Sequence, residues 1–153
     1  MNNFNLTGSN PNAWVVSSKD NGRKSIKNGN IYLKDSEEFK IELHNPLTVQ
    51  VAASIKLNGE YISTSLLIIN PGQRIYLDCF IETKEKFVFK TYNVDDNQEN
   101  KNAIKNNGAI EISFFKNNIY RNYNIFTSVN QKFIKLHFHH SNHMQFPQIS
   151  RIY

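Results

Sequence analysis

Apolar and polar residues alternate through the middle of the chain with the period of a β-strand. Single polar residues separate Phe39, Ile41 and Leu43, and a similar spacing continues through residues 49–58. Because successive side chains of a strand point to opposite faces, this pattern predicts strands with one buried and one solvated face. Residues 66–69 are apolar at every position and predict a strand that is covered on both faces.

Two turn signals follow these strands. Asn58-Gly59 is the dipeptide most typical of a type I′ hairpin, because both residues tolerate a positive φ. In Asn70-Pro71-Gly72, proline presets φ at the second position and glycine accepts a positive φ at the third, as in a type II turn. We therefore expect the strand connections to depend on Asn58, Gly59, Pro71 and Gly72.

Short strands and turns continue toward the C-terminus. Alternating apolar residues predict strands in residues 75–79, 87–91, 109–115 and 133–138. Residues 117–124 resemble a loop with aromatic anchors, and one short helix is predicted around residues 95–107. About eight strands with almost no helix predict an all-β fold, an antiparallel β-sandwich or a jelly-roll-like arrangement.

The length of 153 residues predicts one domain of ordinary size with a separate segment at each end. Residues 1–13 are polar and contain Gly8 and Pro11, so we expect them to form an N-terminal arm. The β-sandwich domain is expected over residues 14–140. A C-terminal tail that contains Pro147 is expected over residues 141–153.

Composition and charge narrow the range of partners. The chain has 23 asparagines and 17 isoleucines, whose AT-rich codons favour an AT-rich bacterial or viral genome. The formal net charge of +5 is spread thinly, and the densest basic patch, residues 23–27, is short. A solvated surface is therefore favoured over a phosphate-binding one, and nucleic acid is not expected as a partner.

Cys79 is the single cysteine, so the fold cannot depend on an intrachain disulfide. Its apolar neighbours favour the role of a small buried hydrophobe. The N-terminus lacks the basic and apolar segments of a signal peptide, and no apolar run approaches the ~20 residues that span a bilayer. We therefore expect synthesis in the host cytoplasm and no membrane partner.

Four of the five histidines fall within residues 137–143. A strand would place His137 and His139 on one face, and His140 and His143 could complete a tetrahedral zinc site. The spacing matches no structural zinc motif, so these are weak metal candidates, and we expect neither a metal nor another cofactor. Surface imidazoles near a subunit contact, or a contact that responds to pH, are the competing interpretations.

No arrangement of nucleophile, acid and base can be recognised. The adjacent pairs Glu37-Glu38 and Asp95-Asp96 would point to opposite faces of a strand, so turn or capping roles are favoured for both. Neither a glycine-rich phosphate loop nor a nucleophile-elbow motif occurs in the sequence. No catalytic residue is predicted, and we expect the protein not to be an enzyme.

Aromatic side chains are the remaining candidates for ligand binding. Lysines interleave with aromatics in residues 86–92, but the alternation that exposes Lys86 and Lys90 buries Phe87 and Phe89, which favours a core role. A carbohydrate- or receptor-binding module is the alternative function for the whole chain. The aromatic residues that could serve as its stacking platforms are Trp14, Tyr32, Tyr61, Tyr92 and Tyr120.

Several motifs occur together between residues 39 and 115. They are Phe39-Lys40-Ile41-Glu42-Leu43-His44-Asn45, Val51-Ala52-Ala53-Ser54-Ile55-Lys56-Leu57-Asn58-Gly59-Glu60, Ile69-Asn70-Pro71-Gly72-Gln73, Lys86-Phe87-Val88-Phe89 and, after an acidic spacer, Gly108-Ala109-Ile110-Glu111-Ile112-Ser113-Phe114-Phe115. This block resembles a small β-sandwich module of virion proteins from large double-stranded DNA viruses and crAss-like tailed phages. Asn58 stands where that pattern more often has Asp. The resemblance implies a structural, non-enzymatic role as an auxiliary capsid, head-fibre or vertex component.

Both ends of the chain carry scattered apolar residues. Alone, neither end can bury enough surface to offset its ordering entropy. We therefore expect these residues to dock into a neighbouring chain, either in a homo-oligomer or on capsid or other virion proteins, and we expect the protein to be located in the virion. The predicted contact residues are Phe4, Leu6, Ile149, Ile152 and Tyr153.

Overall fold

The computed structural model describes residues 10–93, 107–138 and 145–152. These residues form eleven strands in two sheets and contain no helix, so the all-β class is confirmed, with more strands than expected. The short helix predicted around residues 95–107 lies outside the described residues as far as residue 106. The strands are β1 (Asn12–Ser17), β2 (Asn30–Leu33), β3 (Glu37–His44), β4 (Val51–Leu57), β5 (Glu60–Tyr61), β6 (Leu67–Ile69), β7 (Arg74–Leu77), β8 (Lys86–Asn93), β9 (Ala109–Tyr120), β10 (Tyr123–Phe138) and β11 (Gln145–Ile152).

The five-stranded sheet is built around β3. One edge of β3 pairs with the whole of β1, from Ser17↔Phe39 to Asn12↔His44. The other edge is shared, because its second half pairs with β7 while its first two residues pair with β8. β8 in turn pairs with β11, which leaves β1 and β11 as the outermost strands.

The six-stranded sheet has the order β2–β10–β9–β4, and β5 and β6 share the outer edge of β4. Its pairs are antiparallel except that of β2 with β10, so the predicted antiparallel sandwich contains one parallel pair. The chain enters β2 by crossing from the other sheet. No hairpin joins β2 to β10, and nothing in the connection forces them to run in opposite directions.

The inward-facing residues of both sheets form one core. In the parts of β3, β4 and β9 where apolar and polar residues alternate strictly, every second residue is fully buried, as the pattern predicts. The prediction for residues 66–69 is wrong, because Leu66 and Ile68 are nearly half exposed. β6 is a short strand at the sheet edge, and only one of its faces meets the core.

Positive backbone angles mark two of the turns. At the β4–β5 turn, φ is 55° for Asn58 and 78° for Gly59, the combination of a type I′ turn. In the next turn Gly72 has a φ of 71°, and the N–H of Gln73 donates to the Asn70 carbonyl at 3.0 Å, as in a type II turn. This second turn joins β6 to β7, which belong to different sheets, so it carries the chain across the sandwich.

The Asn58 side chain connects the first turn with both sheets. Its Nδ2 donates to the Ile149 carbonyl of β11 at 2.9 Å, and its Oδ1 accepts from the Gly108 N–H at 2.8 Å. The Asn58 backbone N–H donates to the Ala109 carbonyl at 3.0 Å. One residue thus joins the β4–β5 turn to the start of β9 and to the opposite sheet.

Residues 145–152 form β11, where the sequence predicts part of a tail. Ile149 is buried in the core of its own chain, so it is not a free anchor for another chain, and Ile152 ends the strand. The sandwich runs from Asn12 to Ile152, beyond the predicted limits of residues 14 and 140. Pro147 indicates an irregular tail, but an outermost strand tolerates proline because its outward N–H groups need no partner. The other predicted contact residues, Phe4, Leu6 and Tyr153, lie outside the described residues.

A buried carboxylate joins three segments on the outer face of the five-stranded sheet. Glu42 is almost fully buried in β3, in register with Trp14 of β1 and Tyr76 of β7. Arg23 donates to both carboxylate oxygens, at 3.1 and 3.0 Å, and Arg74 donates as well. These hydrogen bonds, with the largest effect from Arg23, hold the pKa of Glu42 below its ordinary value, although burial acts in the opposite direction.

Asn58→Asp should lower the free energy of unfolding by about 1–3 kcal/mol, because a carboxylate cannot donate to the Ile149 carbonyl. Chemical denaturation followed by far-ultraviolet dichroism measures this loss. Asn28→Asp is the matched control, since Asn28 has a similar φ of 51° but an exposed side chain. Its effect should stay within about 0.5 kcal/mol. Equal losses would show that the side-chain bonds of Asn58 do not matter.

Glu42→Gln should lower stability at neutral pH by about 1–2 kcal/mol, because the partly exposed arginines lose charge-assisted bonds but regain water. The pKa of Glu42 is lowered from 4.5 in the folded protein. The contribution of the carboxylate is therefore complete above the unfolded pKa and is lost as pH falls through the lower, folded pKa.

Denaturation midpoints of the wild type and Glu42→Gln should therefore converge in acid. Glu38→Gln is the control, because Glu38 lies on the same strand but is exposed, and its stability should stay close to that of the wild type. A Glu42→Gln difference that is constant from neutral pH into strong acid would contradict the assigned role of the ion pairs.

Candidate functional site

The two longest strands extend past their neighbours in the sheet. β4 pairs with β9 from Leu57↔Ile110 to Val51↔Lys116, whereas the β9–β10 pairing continues to Tyr120↔Tyr123. Residues 117–126 therefore form a two-stranded segment, here called the ribbon. Among the described residues no third strand lies beside it.

Backbone and side-chain hydrogen bonds shape the ribbon. Arg121 and Asn122 form its turn with φ of 47° and 66°, both positive as in type I′. At its base the N–H of Asn117 donates to the carbonyl of the residue that precedes β4, at 3.0 Å. Between the strands the Asn118 amide donates to Thr127 Oγ1 at 2.7 Å. A lone hairpin is marginally stable in water, so these bonds and the continuous sheet hold the ribbon in place.

The ribbon exposes large apolar side chains. Residues opposed across two strands share a face, which places Tyr120, Tyr123 and Ile125 on one side and Ile119 on the other. Ile119 and Tyr123 are 74% exposed, Tyr120 is 59% exposed and Ile125 is 45% exposed. Four of the eleven exposed large apolar side chains in the described part of the chain thus lie in this short segment. Such clustering on a protein surface marks an interaction site, whereas singly scattered apolar residues need no explanation.

Charge is nearly absent from the ribbon. Residues 112–138 contain no aspartate or glutamate, and Arg121 is the single charged residue between positions 117 and 126. The Arg121 guanidinium lies 5.2 Å from the centre of the Tyr120 ring. Aromatic and aliphatic area with one arginine is a composition that is enriched at protein–protein interfaces.

A second exposed apolar surface lies on the outer face of the six-stranded sheet. Ile68 of β6 is in register with Ala52 of β4, which is in register with Phe115 of β9. Leu66 precedes Ile68 by two residues, and both are nearly half exposed. We call these four residues the β6 patch. Ala52 points away from the core yet is fully buried, because the larger residues on either side cover it.

The predicted aromatic platforms have different surroundings. Trp14 is half-buried, and the Arg23 guanidinium lies 3.6 Å from its ring centre. Tyr61 is exposed, with the Lys56 ammonium 4.7 Å from its ring centre. Tyr120 belongs to the ribbon, Tyr32 lies at the sheet edge on β2, and Tyr92 falls outside the described side chains.

Of the four weak metal candidates, only His137 lies within the described residues. Its Nε2 is 2.8 Å from Asn30 Oδ1, and its ring stacks on Tyr32 with the ring centres 5.3 Å apart. Burial, aided by the Lys135 cation, lowers the pKa of His137. The other three candidates, His139, His140 and His143, lie outside the described residues. Within the described part of the chain, no three His, Cys, Asp or Glu side chains are grouped to hold a metal ion.

Cys79 and the neighbouring acids do not assemble into a catalytic set among the described residues. Burial raises the pKa of the half-buried Cys79 thiol, and Asp78 adds to this effect, so the thiol is held in its protonated form. Asp78 is paired with Lys86, and Glu37 is paired with Lys24. The chemistry that these groups offer is ion pairing and hydrogen bonding.

The ribbon is the functional candidate that the sequence does not reveal. Residues 117–124 read as a loop because asparagine is depleted in strands. The available signal is Arg121-Asn122, which follows the apolar pair Ile119-Tyr120 and precedes Tyr123-Asn124-Ile125, where apolar residues flank one asparagine. Asparagine at the second turn position tolerates a positive φ, as a type I′ turn requires.

Within the described residues, no helix has the length and apolar character that a membrane crossing requires. Comparison of the chain with protein-family models, with curated proteins and with solved structures finds no match in any of the three. The surfaces of the molecule are therefore the basis on which a function can be proposed.

Proposed function

We propose that the protein is a non-enzymatic structural subunit that acts through protein–protein contacts, with the ribbon as its principal contact. The observation that carries this proposal is the exposure of four large apolar side chains on a segment that extends past the sandwich. Fully burying one such side chain contributes about 1.5–3 kcal/mol, so covering the ribbon supplies a driving force for association.

A second copy of the chain is the partner that the surfaces favour. The ribbon and the β6 patch are both apolar, and they share no residue. In a heterologous contact the ribbon of one copy lies on the β6 patch of the next. Repeating this contact generates a ring or a filament, depending on the rotation between copies. The single charge of the ribbon keeps the repulsion at the contact small although each copy carries +5.

A virus or phage particle is the setting that the resemblance implies. The residues on which the resemblance rests occupy β3, β4, β8 and β9, and the ribbon extends β9 beyond them. Capsid, head-fibre and vertex components all need a rigid subunit that can repeat one contact many times. A sandwich that needs no disulfide and exposes an apolar ribbon fits this requirement, and the virion is its proposed location.

Replacing Tyr120 and Tyr123 together by serine should weaken self-association of the purified full chain. Wild type should increase in mass with concentration in size-exclusion chromatography with light scattering. The double variant should need at least about tenfold more protein for the same increase, which corresponds to a loss of about 1.4 kcal/mol. Ile68→Ser should weaken the same association from the other side of the contact, and micrographs of the wild type show whether it closes rings or extends.

Tyr61→Ser is the matched control, because Tyr61 is 58% exposed, against 59% for Tyr120, and lies outside both surfaces. Its association should equal that of the wild type, and unchanged dichroism verifies that each variant folds. A wild-type chain that stays monomeric at every concentration contradicts self-association through the ribbon. Equal weakening by Tyr61→Ser would show that the association is not specific to these surfaces.

A further inference from the structure

A cleft of about 1010 Å3 opens beside β2 at the edge of the sandwich. Its walls come from the end of β1 and from the two connections that flank β2. Four serines and four lysines make up most of its lining, and Tyr32 is its one aromatic residue. None of the lining residues belongs to the ribbon or to the β6 patch, so the cleft is a separate surface.

Tyr32 lines the cleft, and one face of its ring is covered by His137. The Tyr32 side chain is 52% exposed, and the His137 ring stacks against it at an interplanar angle of 29°. Asn30 bonds to His137 and so fixes the position of that ring. Because His137 on β10 covers one face of the Tyr32 ring, the opposite face is the one available to a ligand. The platform is therefore held in place before a ligand binds.

The backbone of Tyr32 adds a donor and an acceptor at the same position. The N–H of Lys135 on β10 donates to the Gly29 carbonyl at 2.8 Å. Along a parallel ladder, alternate residues of one strand bond to the same neighbour. Ile31 and Leu33 therefore bond to β10, and Tyr32 turns its N–H and C=O toward the outer edge. No described strand pairs with that edge at Tyr32.

The positions on either side of Tyr32 are already occupied. Asn30 and Lys27 exchange both of their backbone hydrogen bonds, at 2.9 and 3.0 Å. The N–H of Lys34 donates to the Glu37 carboxylate at 2.9 Å. A peptide that extends a sheet needs a run of free backbone positions, so this edge does not suit strand addition. A single free position suits a small polar ligand.

The charge of the cleft favours an anion. Lys24 is paired with Glu37, and Asp35 accepts hydrogen bonds from the N–H and hydroxyl of Thr91. Three ammonium groups and two carboxylates of the lining then remain without an ion pair among the described residues, so the lining has a net charge of +1. These residues are Lys19, Lys27, Lys34, Asp35 and Glu38.

We propose that this cleft binds an acidic saccharide, with one sugar ring stacked on Tyr32 and the acid group, a carboxylate or a sulfate, attracted by Lys27 and Lys34. An aromatic face, a backbone donor and acceptor, and serine hydroxyls match the apolar face and the hydroxyl groups of a sugar ring. The ammonium groups select an acidic sugar over a neutral one. This site does not depend on the ribbon, and its failure would leave the assembly proposal unaffected.

Calorimetric titration of the full chain with three oligosaccharides tests the site. The probes are a sulfated heparin oligosaccharide, an oligogalacturonate that carries carboxylates alone, and a neutral maltooligosaccharide. We expect one or both acidic probes to bind and the neutral probe not to bind, and the pattern identifies the acid group. Tyr32→Ala should weaken that binding about tenfold, whereas Tyr32→Phe, which keeps the ring, should bind like the wild type.

Tyr61→Ala is the matched control, because Tyr61 is similarly exposed and has a lysine beside its ring, but lies outside the cleft. Its affinity for the probes should be that of the wild type. Unchanged affinity of Tyr32→Ala would show that charge alone attracts the polyanion, and the proposal would be wrong. Absence of binding to all three probes, or equal binding of the neutral probe, also overturns it. Tighter binding of a single-stranded oligonucleotide through Tyr32 would assign the cleft to nucleic acid instead.

Discussion

The antiparallel ladder between β9 and β10 is the interaction on which both proposed surfaces depend. In its middle, Ile112 and Phe114 are buried in the core, which anchors the two strands in the sandwich. Past the last pair with β4 the same ladder becomes the ribbon. At its other end β10 supports β2 and carries His137 beneath Tyr32. A change in the register of this one pairing would move the exposed side chains at both ends.

The two surfaces differ in chemistry and lie far apart on one strand. Tyr123 and His137 are both in β10, and strand geometry separates residues at that spacing by about 45 Å. The ribbon is apolar and contains no acid, whereas the cleft is polar and has three unpaired ammonium groups within the described residues. Occupying one surface therefore leaves the other accessible, and assembly and ligand binding are compatible in one molecule.

Local patterns predict the fold where one face of a strand is buried against the core. The alternation of Phe39, Ile41 and Leu43 identifies β3, because each missing apolar residue would leave a gap in the core. The pattern fails at the edges, where burial is partial. Pro147 prevents β11 from being recognised as a strand in the sequence, and the asparagines do the same for the ribbon. Edge strands and ribbons accept residues that a central strand excludes.

The Tyr32 site illustrates a second limit of sequence reasoning. Tyr32 and His137 are remote in the sequence and meet only because β2 and β10 pair in parallel in one register. No local sequence pattern indicates that β2 pairs with β10. The aromatic residue itself can be named as a candidate from the sequence, but its fixed ring, its free backbone groups and the lysines around it arise from tertiary structure alone.

The path of the chain has a consequence for how the sandwich forms. The chain passes between the sheets at β1–β2, β2–β3, β3–β4, β6–β7, β8–β9 and β10–β11, so neither sheet consists of consecutive strands. Long loops must close before such strand pairs can contribute to stability. Domains of this kind therefore fold in milliseconds to seconds. During synthesis β2 has no strand partner until β10 has formed, and one edge of β8 stays unpaired until β11 has formed. The growing chain therefore leaves strand edges unpaired until its last strand has emerged, and this incomplete form is the one most exposed to pairing with the wrong neighbour.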